Sequence, residues 1–365
     1  MDHEAYMRRA LELAERGRGL ASPNPVVGAV LAAQDRVVGE GWHEGPGTPH
    51  AEAAALAAAG EAARGATLYV TLEPCDHQGR TPPCTRAIVR AGVTTVVAAM
   101  TDPNPVVDGR GFTRLHETGL RVITPLLEEE AARQNHAFAR HIRTGMPLVT
   151  LKMAATLDGK VAARDGSSRW ITGEAARARV HLMRAAADAI VIGAGTALAD
   201  DPELTVRAPG YRGRPVQRVL VDARGAVPAG GRLFSEDAPT LVATTEAASP
   251  GRRNEWAEAG ADVVVFDAEG ARVPLRSLLA HLGKREFQSV LLEGGPTLAW
   301  SAVREGLVDR LVLFLAPKLL GGERAPGVLG GEGFAPVGEA LSLRITDVTT
   351  VGEDVMVEAD VHRDR

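Results

Sequence analysis

Short apolar runs alternate with amphipathic helical stretches along nearly the whole chain, and this alternation leaves few architectures open. Runs such as residues 93–100 are too short to cross a bilayer and too apolar to lie in water, so they read as buried strands. The first part of the chain predicts helices over 4–16, 50–59 and 85–91, and strands over 26–33, 36–41, 67–72 and 94–100. A helix–strand pair over 112–124 and a charged helix over 128–143 follow. The fold class expected is α/β, with helices covering a sheet. Thr144-Gly145-Met146-Pro147 then breaks the pattern, because glycine followed closely by proline ends a helix. The expected domains are therefore 1–146 and 147–365, in keeping with 365 residues at roughly 150 per domain. Beyond the break, strands are predicted over 149–154, 189–193, 218–222, 240–244, 262–266, 289–293 and 310–315. Helices are predicted over 173–186, 253–259, 275–282 and 297–304, with two β runs in 343–361.

Charge narrows the classes of partner. Residues 1–146 carry 15 arginines, no lysine and 17 acidic residues, and the remainder carries 26 basic and 29 acidic residues. Neither half has the basic excess that a phosphate backbone demands, so a small-molecule substrate and no nucleic acid are expected. No apolar run reaches the roughly 18 residues of a membrane helix, so no membrane partner is expected. Met1-Asp2-His3-Glu4 lacks the basic head and apolar core of a secretion signal. The only cysteines are Cys75 and Cys84. In a reducing cytoplasm, the location expected here, such a pair points to metal or catalysis rather than to a disulfide framework.

Both cysteines fall in one constellation. His50-Ala51-Glu52 opens a predicted helix, Pro74-Cys75 follows a strand, and Cys84 precedes the next helix. One imidazole and two thiolates suit zinc, one ion per chain, and three protein ligands with an open fourth position mark a catalytic site. Glu52, two residues from the histidine, is placed to shuttle protons without binding metal. Helix starts beside the thiols favour their ionised form. The pattern approaches the zinc-deaminase signature H-x-E with P-C-x-x-C, except that eight residues separate Cys75 from Cys84. Two ordinary buried cysteines and a solvent histidine are the competing reading.

These residues resemble the bifunctional deaminase–reductase family of riboflavin biosynthesis, in which the longer cysteine loop is normal. Thr71-Leu72-Glu73-Pro74-Cys75, Gly79-Arg80-Thr81-Pro82-Pro83-Cys84, Pro23-Asn24-Pro25-Val26-Val27-Gly28 and Asp102-Pro103-Asn104-Pro105 carry the resemblance. It covers nearly the whole chain. The implied fold is an N-terminal cytidine-deaminase-like zinc domain followed by a dihydrofolate-reductase-like reductase domain. The implied first reaction is hydrolytic loss of ammonia from a diaminopyrimidinone, with His50, Cys75 and Cys84 as zinc ligands and Glu52 as proton shuttle. Asn24 would hydrogen-bond the ring or ribose, and His43, His77, Arg80, Asp102 and Asn104 are candidates for the rest of the substrate. A structural place for His43 and a turn-starting role for Asp102 remain open alternatives.

In the second half, Glu293-Gly294-Gly295-Pro296-Thr297-Leu298 follows an apolar strand and opens a helix, a favourable anion site. Gly193-Ala194-Gly195 lacks the last glycine of G-x-G-x-x-G and is not read as a dinucleotide fingerprint. The residues alone yield an α/β domain with a dinucleotide or phosphate ligand. The segments 152–160, 196–207 and 315–322 resemble the family's reductase half, which implies NADPH and reduction at C1′ of the ribosylamino sugar. By that resemblance Ala154, Trp170, Thr196, Asp200, Gly295, Pro296, Thr297, Leu298, Ala299, Trp300 and Ser301 hold NADPH. Lys152, Ser168, Arg184, Leu204, Arg207 and Glu293 line the substrate, and Lys152, Asp200 and Glu293 are candidate acids. Arg207 has a competing role, pairing with Asp200 or Asp201 to hold its loop. One departure is Asp222-Ala223-Arg224, where the family has serine after the aspartate. A homo-oligomer, dimeric through the reductase half, is expected. Two other readings are a nucleoside or RNA-base deaminase with a non-catalytic second domain, and a zinc-stapled scaffold. The charge balance counts against the first and an intact Glu52 against the second.

Overall fold

The computed structural model describes residues 2–79 and 82–362, and the chain divides into two compact units, Met1–Met146 and Pro147–Arg365. The first opens with α1 (His3–Glu15), whose N-terminus is capped by the Asp2 carboxylate, accepting from the Ala5 amide at 3.1 Å. The α1 face of Met7, Ala10, Leu11, Leu13 and Ala14 is buried, and each large apolar side chain so placed contributes roughly 1.5–3 kcal/mol. Strands β1 (Gly28–Ala33), β2 (Arg36–Trp42), β3 (Thr67–Val70), β4 (Thr95–Ala98) and β5 (Arg121–Ile123) form a sheet in the order β2-β1-β3-β4-β5. β1 is antiparallel to β2 and β3, while β3, β4 and β5 are parallel.

Side chains alternate along each strand, so the sheet has two cores. Leu31, Val70 and Val96 enter one with α2 (Ala51–Ala59), α3 (Cys84–Arg90) and α4 (Arg110–Glu117). Val30, Tyr69 and Val97 enter the other with α1 and α5 (Glu128–Gln134). Glycine in β2 lets α2 approach closely: a Cβ on Gly41 would stand 2.5 Å from the Ala51 carbonyl oxygen. The single helix expected over 128–143 is instead two, α5 and α6 (His136–Thr144), broken at Asn135. The buried Asn135 side chain accepts from the Val26 amide and donates to the Val26 carbonyl, both at 2.9 Å. Holding both groups of a distant residue fixes Asn135 where helix continuity would not.

The second unit is built on a nine-stranded sheet. Its elements are β6 (Leu148–Thr156), α7 (Glu174–Ala186), β7 (Ala189–Gly193), α8 (Ala194–Asp200), β8 (Gln217–Val221), β9 (Thr240–Thr245), α9 (Pro250–Glu258), β10 (Asp262–Phe266), α10 (Leu275–Lys284), β11 (Ser289–Leu292), α11 (Pro296–Arg304), β12 (Arg310–Ala316), β13 (Leu343–Val351) and β14 (Asp354–Val361). The order is β10-β9-β8-β7-β11-β6-β12-β14-β13. The strands from β10 through β12 are parallel, and the β13–β14 hairpin adds two antiparallel strands at one edge. Helix α8 was not predicted by the periodicity: it is short, and Gly195 sits in its first turn. α9 starts earlier than expected because Ser249 caps it, accepting from the Arg252 amide at 3.2 Å, with Pro250 at its first position. Among the described residues no helix is long and apolar enough to cross a membrane.

Candidate functional sites

The first site forms where β3 ends and two helices begin. His50 is the N-cap of α2, Cys84 opens α3, and Cys75 lies in the loop after β3. The ligand atoms of these three residues lie within 4.8 Å of one another, with His50 Nδ1 3.2 Å from Cys84 Sγ and 3.6 Å from Cys75 Sγ. The Cys84 thiol and the His50 ring hold the Cys75 thiol well below the usual thiol range, against the opposing effect of burial. Glu52 stands in the first turn of α2 and is 4% exposed. Burial, with the Cys75 charge nearby, pushes its carboxyl up to about 7. A nitrogen and two sulfurs converging on one point form a donor set that fits zinc, with the buried Glu52 carboxyl beside them.

His43 is buried and packs edge-on against His50, with ring centroids 5.4 Å apart. Burial lowers its pKa, which favours the neutral ring. Its Nδ1 faces the Pro49 carbonyl at 3.2 Å, and an acceptor there requires the proton on Nδ1. Nε2 then accepts from Asn24 Nδ2 at 2.9 Å, leaving the Asn24 Oδ1 as that side chain's remaining acceptor. His43 thus orients Asn24 while sitting behind the metal ligands. Asp102 does start a turn: its Oδ1 accepts from the Asn104 amide at 2.8 Å, and Asn104 Oδ1 accepts from the Val106 amide at 3.0 Å. Burial, with Glu73 and Cys75 nearby, pushes the Asp102 carboxyl up to about 6. His77 is exposed in the cysteine loop, and Arg80 lies outside the described residues.

Sequence reasoning passed over Glu73, whose buried carboxylate receives the backbone amides of Asp102, Gly109, Gly111 and Phe112 at 3.2, 2.9, 2.8 and 3.4 Å. A glutamate between Leu72 and Pro74, where a strand runs into the metal loop, was the available signal.

The second site is a cleft of roughly 1040 Å³ at the carboxyl ends of parallel strands, where ligands of open α/β sheets bind. It brings together Lys152, Ala154, Ser168, Trp170, Arg184, Thr196, Asp200, Leu204, Arg207, Glu293, Gly295, Pro296, Thr297, Leu298 and Ser301. Neighbouring strands β7 and β11 run straight into α8 and α11, so two helix starts face the cleft together. The Gly193–Gly195 segment, set aside in the sequence, lines it as the turn into α8. Ala299 and Trp300 do not line the cleft: both are buried, and Trp300 packs edge-to-face on Phe334 at 4.9 Å.

Charge at the floor of the cleft is paired. Arg184 Nε and Nη2 grip the two carboxylate oxygens of Glu293 at 2.7 and 3.0 Å, and Lys152 Nζ stands 3.8 Å away. Burial alone would raise the Glu293 pKa; Arg184 and Lys152 overcome it and hold the group below the usual carboxylate range. That pairing favours the charged form of Glu293. Arg207 is exposed, and its guanidinium pairs with Glu203 rather than with Asp200 or Asp201. Its backbone amide donates to His181 Nδ1 at 3.2 Å. His181 also lines the cleft and was not singled out in the sequence. Asp222 uses its carboxylate within its own turn, accepting from the amides of Arg224, Gly225 and Val227.

Comparison with known proteins matches both units. The RibD C-terminal domain model matches residues 147–357, and the model of the cytidine and deoxycytidylate deaminase zinc-binding region matches residues 1–100. The chain is 42% identical over 366 residues to the riboflavin biosynthesis protein RibD of Escherichia coli (strain K12), covering 97% of this chain and 98% of that protein. It is 41% identical over 372 residues to RibD of Bacillus amyloliquefaciens, covering 99% and 100%. Among solved structures, Acinetobacter baumannii RibD is 38% identical with a TM-score of 0.89, covering 99% of each chain. A diaminohydroxyphosphoribosylaminopyrimidine deaminase/5-amino-6-(5-phosphoribosylamino)uracil reductase of Thermotoga maritima is 37% identical with a TM-score of 0.87, again covering 99% of each chain. Both domain models and relatives of about 40% identity over nearly the whole chain make this protein a member of the RibD family of bifunctional enzymes of riboflavin biosynthesis, a zinc-dependent deaminase joined to an NADPH-dependent reductase.

Proposed function

We propose that residues 1–146 carry the deaminase and residues 147–365 the reductase. Their substrate is 2,5-diamino-6-(5-phosphoribosylamino)pyrimidin-4-one, and their joint product is 5-amino-6-(5-phosphoribitylamino)uracil. The observation that carries this reading is the convergence of His50, Cys75 and Cys84 within 4.8 Å, with Glu52 buried beside them. Those three side chains hold zinc, which supplies Lewis acidity and lowers the pKa of a water to about 7. Glu52 takes a proton from the attacking water on a carboxylate oxygen and passes it to the departing amine. Asn24, oriented by His43, hydrogen-bonds the ring or ribose. His77, Arg80, Asp102 and Asn104 take the rest of the substrate.

In the reductase cleft, Ala154, Trp170, Thr196, Asp200 and the α11 start from Gly295 to Ser301 hold NADPH, which supplies the reducing electrons. Of that run, Gly295, Pro296, Thr297, Leu298 and Ser301 face the ligand, and Ala299 and Trp300 support them from the core. Ser168, Leu204 and Arg207 line the substrate above the Lys152–Glu293–Arg184 floor. The candidate acids are Lys152, Asp200 and Glu293, of which Glu293 stands in surroundings that favour its charged form. The chain pairs with a second copy through the reductase half, where the edge strand β13 exposes Leu343, Ile345 and Val348. Two cysteines that serve a metal rather than a disulfide suit a reducing compartment, and we place the enzyme in the cytoplasm.

Glu52→Gln tests the assignment. It is expected to abolish ammonia release, keep one zinc per chain and leave NADPH-dependent reduction of already deaminated substrate intact. A folded Glu52→Gln enzyme that loses both activities refutes separate sites.

A further inference from the structure

We propose that Glu73 is a positioning residue for deamination: its buried carboxylate fixes segment 102–112, the loop bearing Asp102 and Asn104, against the strand end that presents Cys75. The inference rests on the reading of Asp102 and Asn104 as substrate contacts.

Glu73 is 3% exposed, two residues before a metal ligand. Its Oε2 accepts from the Asp102 amide at 3.2 Å and the Gly109 amide at 2.9 Å. Its Oε1 accepts from the Gly111 amide at 2.8 Å and the Phe112 amide at 3.4 Å. A carboxylate has about four acceptor sites, so these bonds saturate it and leave none for substrate. Glu73 therefore acts through the loop.

Two consequences follow from where the donors lie. Gly109, the N-cap of α4, has φ 83° and no side chain to cap the helix, so Glu73 supplies the missing acceptor at the positive end of that helix. The Asp102 bond pins the other end of the loop, where Asp102 Oδ1 holds the Asn104 amide at 2.8 Å. The substrate-facing turn is thus held between one anchored amide and one anchored helix. The approach is close: a Cβ on Gly111 would stand 2.0 Å from the Pro74 carbonyl oxygen and 3.1 Å from Glu73 Oε1. Such a fit places the loop relative to Cys75 within narrow limits.

Glu73→Gln keeps the shape but turns one acceptor oxygen into an N–H donor facing backbone donors. The loop should loosen while the ligands stay. We expect the deaminase KM to rise about tenfold with kcat changed by less than about threefold, zinc unchanged at one per chain, and reduction of deaminated substrate unaffected. Amide hydrogen exchange over 102–112 should accelerate. In the Asn104→Ala background the Glu73→Gln penalty on KM should largely vanish, because both act through one loop. Glu73→Asp, which keeps the charge on a shorter stem, should fall between wild type and Gln, and carries the test if the Gln variant does not fold. An unchanged KM, zinc loss with kcat and KM falling together, or fully additive penalties with Asn104→Ala would overturn the proposal. Asn104→Ala with a wild-type KM would instead remove Asn104 from the substrate reading, and Glu73 would then stand or fall on its own KM.

Discussion

Replacing Arg184 with methionine strips Glu293 of its main partner in a place where water cannot replace it. The pair is bidentate, at 2.7 and 3.0 Å, and the two side chains are only 13% and 6% exposed. Breaking a buried pair by removing one partner destabilises by about 3–5 kcal/mol, because an uncompensated charge stays behind. Lys152 at 3.8 Å still offsets part of that charge, so the lower end, about 3 kcal/mol, is expected. Guanidinium unfolding without NADPH measures it. Trp170, Trp256 and Trp300 report on the second unit and Trp42 on the first. A loss of that size moves the second transition down by about 0.5–1.5 M and leaves the Trp42 transition where it was. The double variant Arg184→Met/Glu293→Leu should recover most of the loss, since it removes both charges and adds apolar contact. A single variant within about 1 kcal/mol of wild type, or a double variant as unstable as the single, refutes the argument that a stranded carboxylate is what destabilises.

Arg207→Ala should weaken use of the phosphorylated substrate by the reductase about tenfold or more, since charge-assisted bonds contribute roughly 1.5–3 kcal/mol each. NADPH binding and deamination should barely change; titration with NADPH alone checks this, and an equal loss of NADPH affinity would mean that Arg207 merely holds its loop with Glu203. The pH dependence follows from Glu293. Its folded pKa lies below its unfolded value near about 4.3, so the stability it contributes is complete above that value and is lost as pH falls through the folded pKa. Wild-type stability of the second unit should therefore fall below about pH 4, and Glu293→Gln, less stable at neutral pH, should show a shallower acid slope; parallel slopes would remove Glu293 as the cause.

The zinc site was legible in the sequence because its ingredients are chemical types at structural junctions. His50 and Glu52 sit at a helix start, and each cysteine sits where a strand ends or a helix begins. The arrangement around that site was less so. Glu73 reads as one polar residue in an apolar strand end, and only folding reveals that its four donors come from residues 102–112. His43 and Asp102 carried two readings each, and folding adds a local hydrogen bond to each: His43 Nε2 meets Asn24, and Asp102 Oδ1 accepts from the Asn104 amide.

The amino-acid pattern by itself determined the strand–helix alternation, the break at Gly145-Met146-Pro147 and the metal-binding types, because period, turn chemistry and ligand softness are local properties. Tertiary structure alone decided the rest. Asn135 interrupts a helix because Val26, far away in sequence, takes both of its hydrogen bonds. Ala299 and Trp300 leave the run around them because α11 has one face toward the cleft and another in the core. Arg184 serves Glu293, and Arg207 finds Glu203, because a charge takes the partner that folding brings within reach, and burial decides which of those partnerships matters.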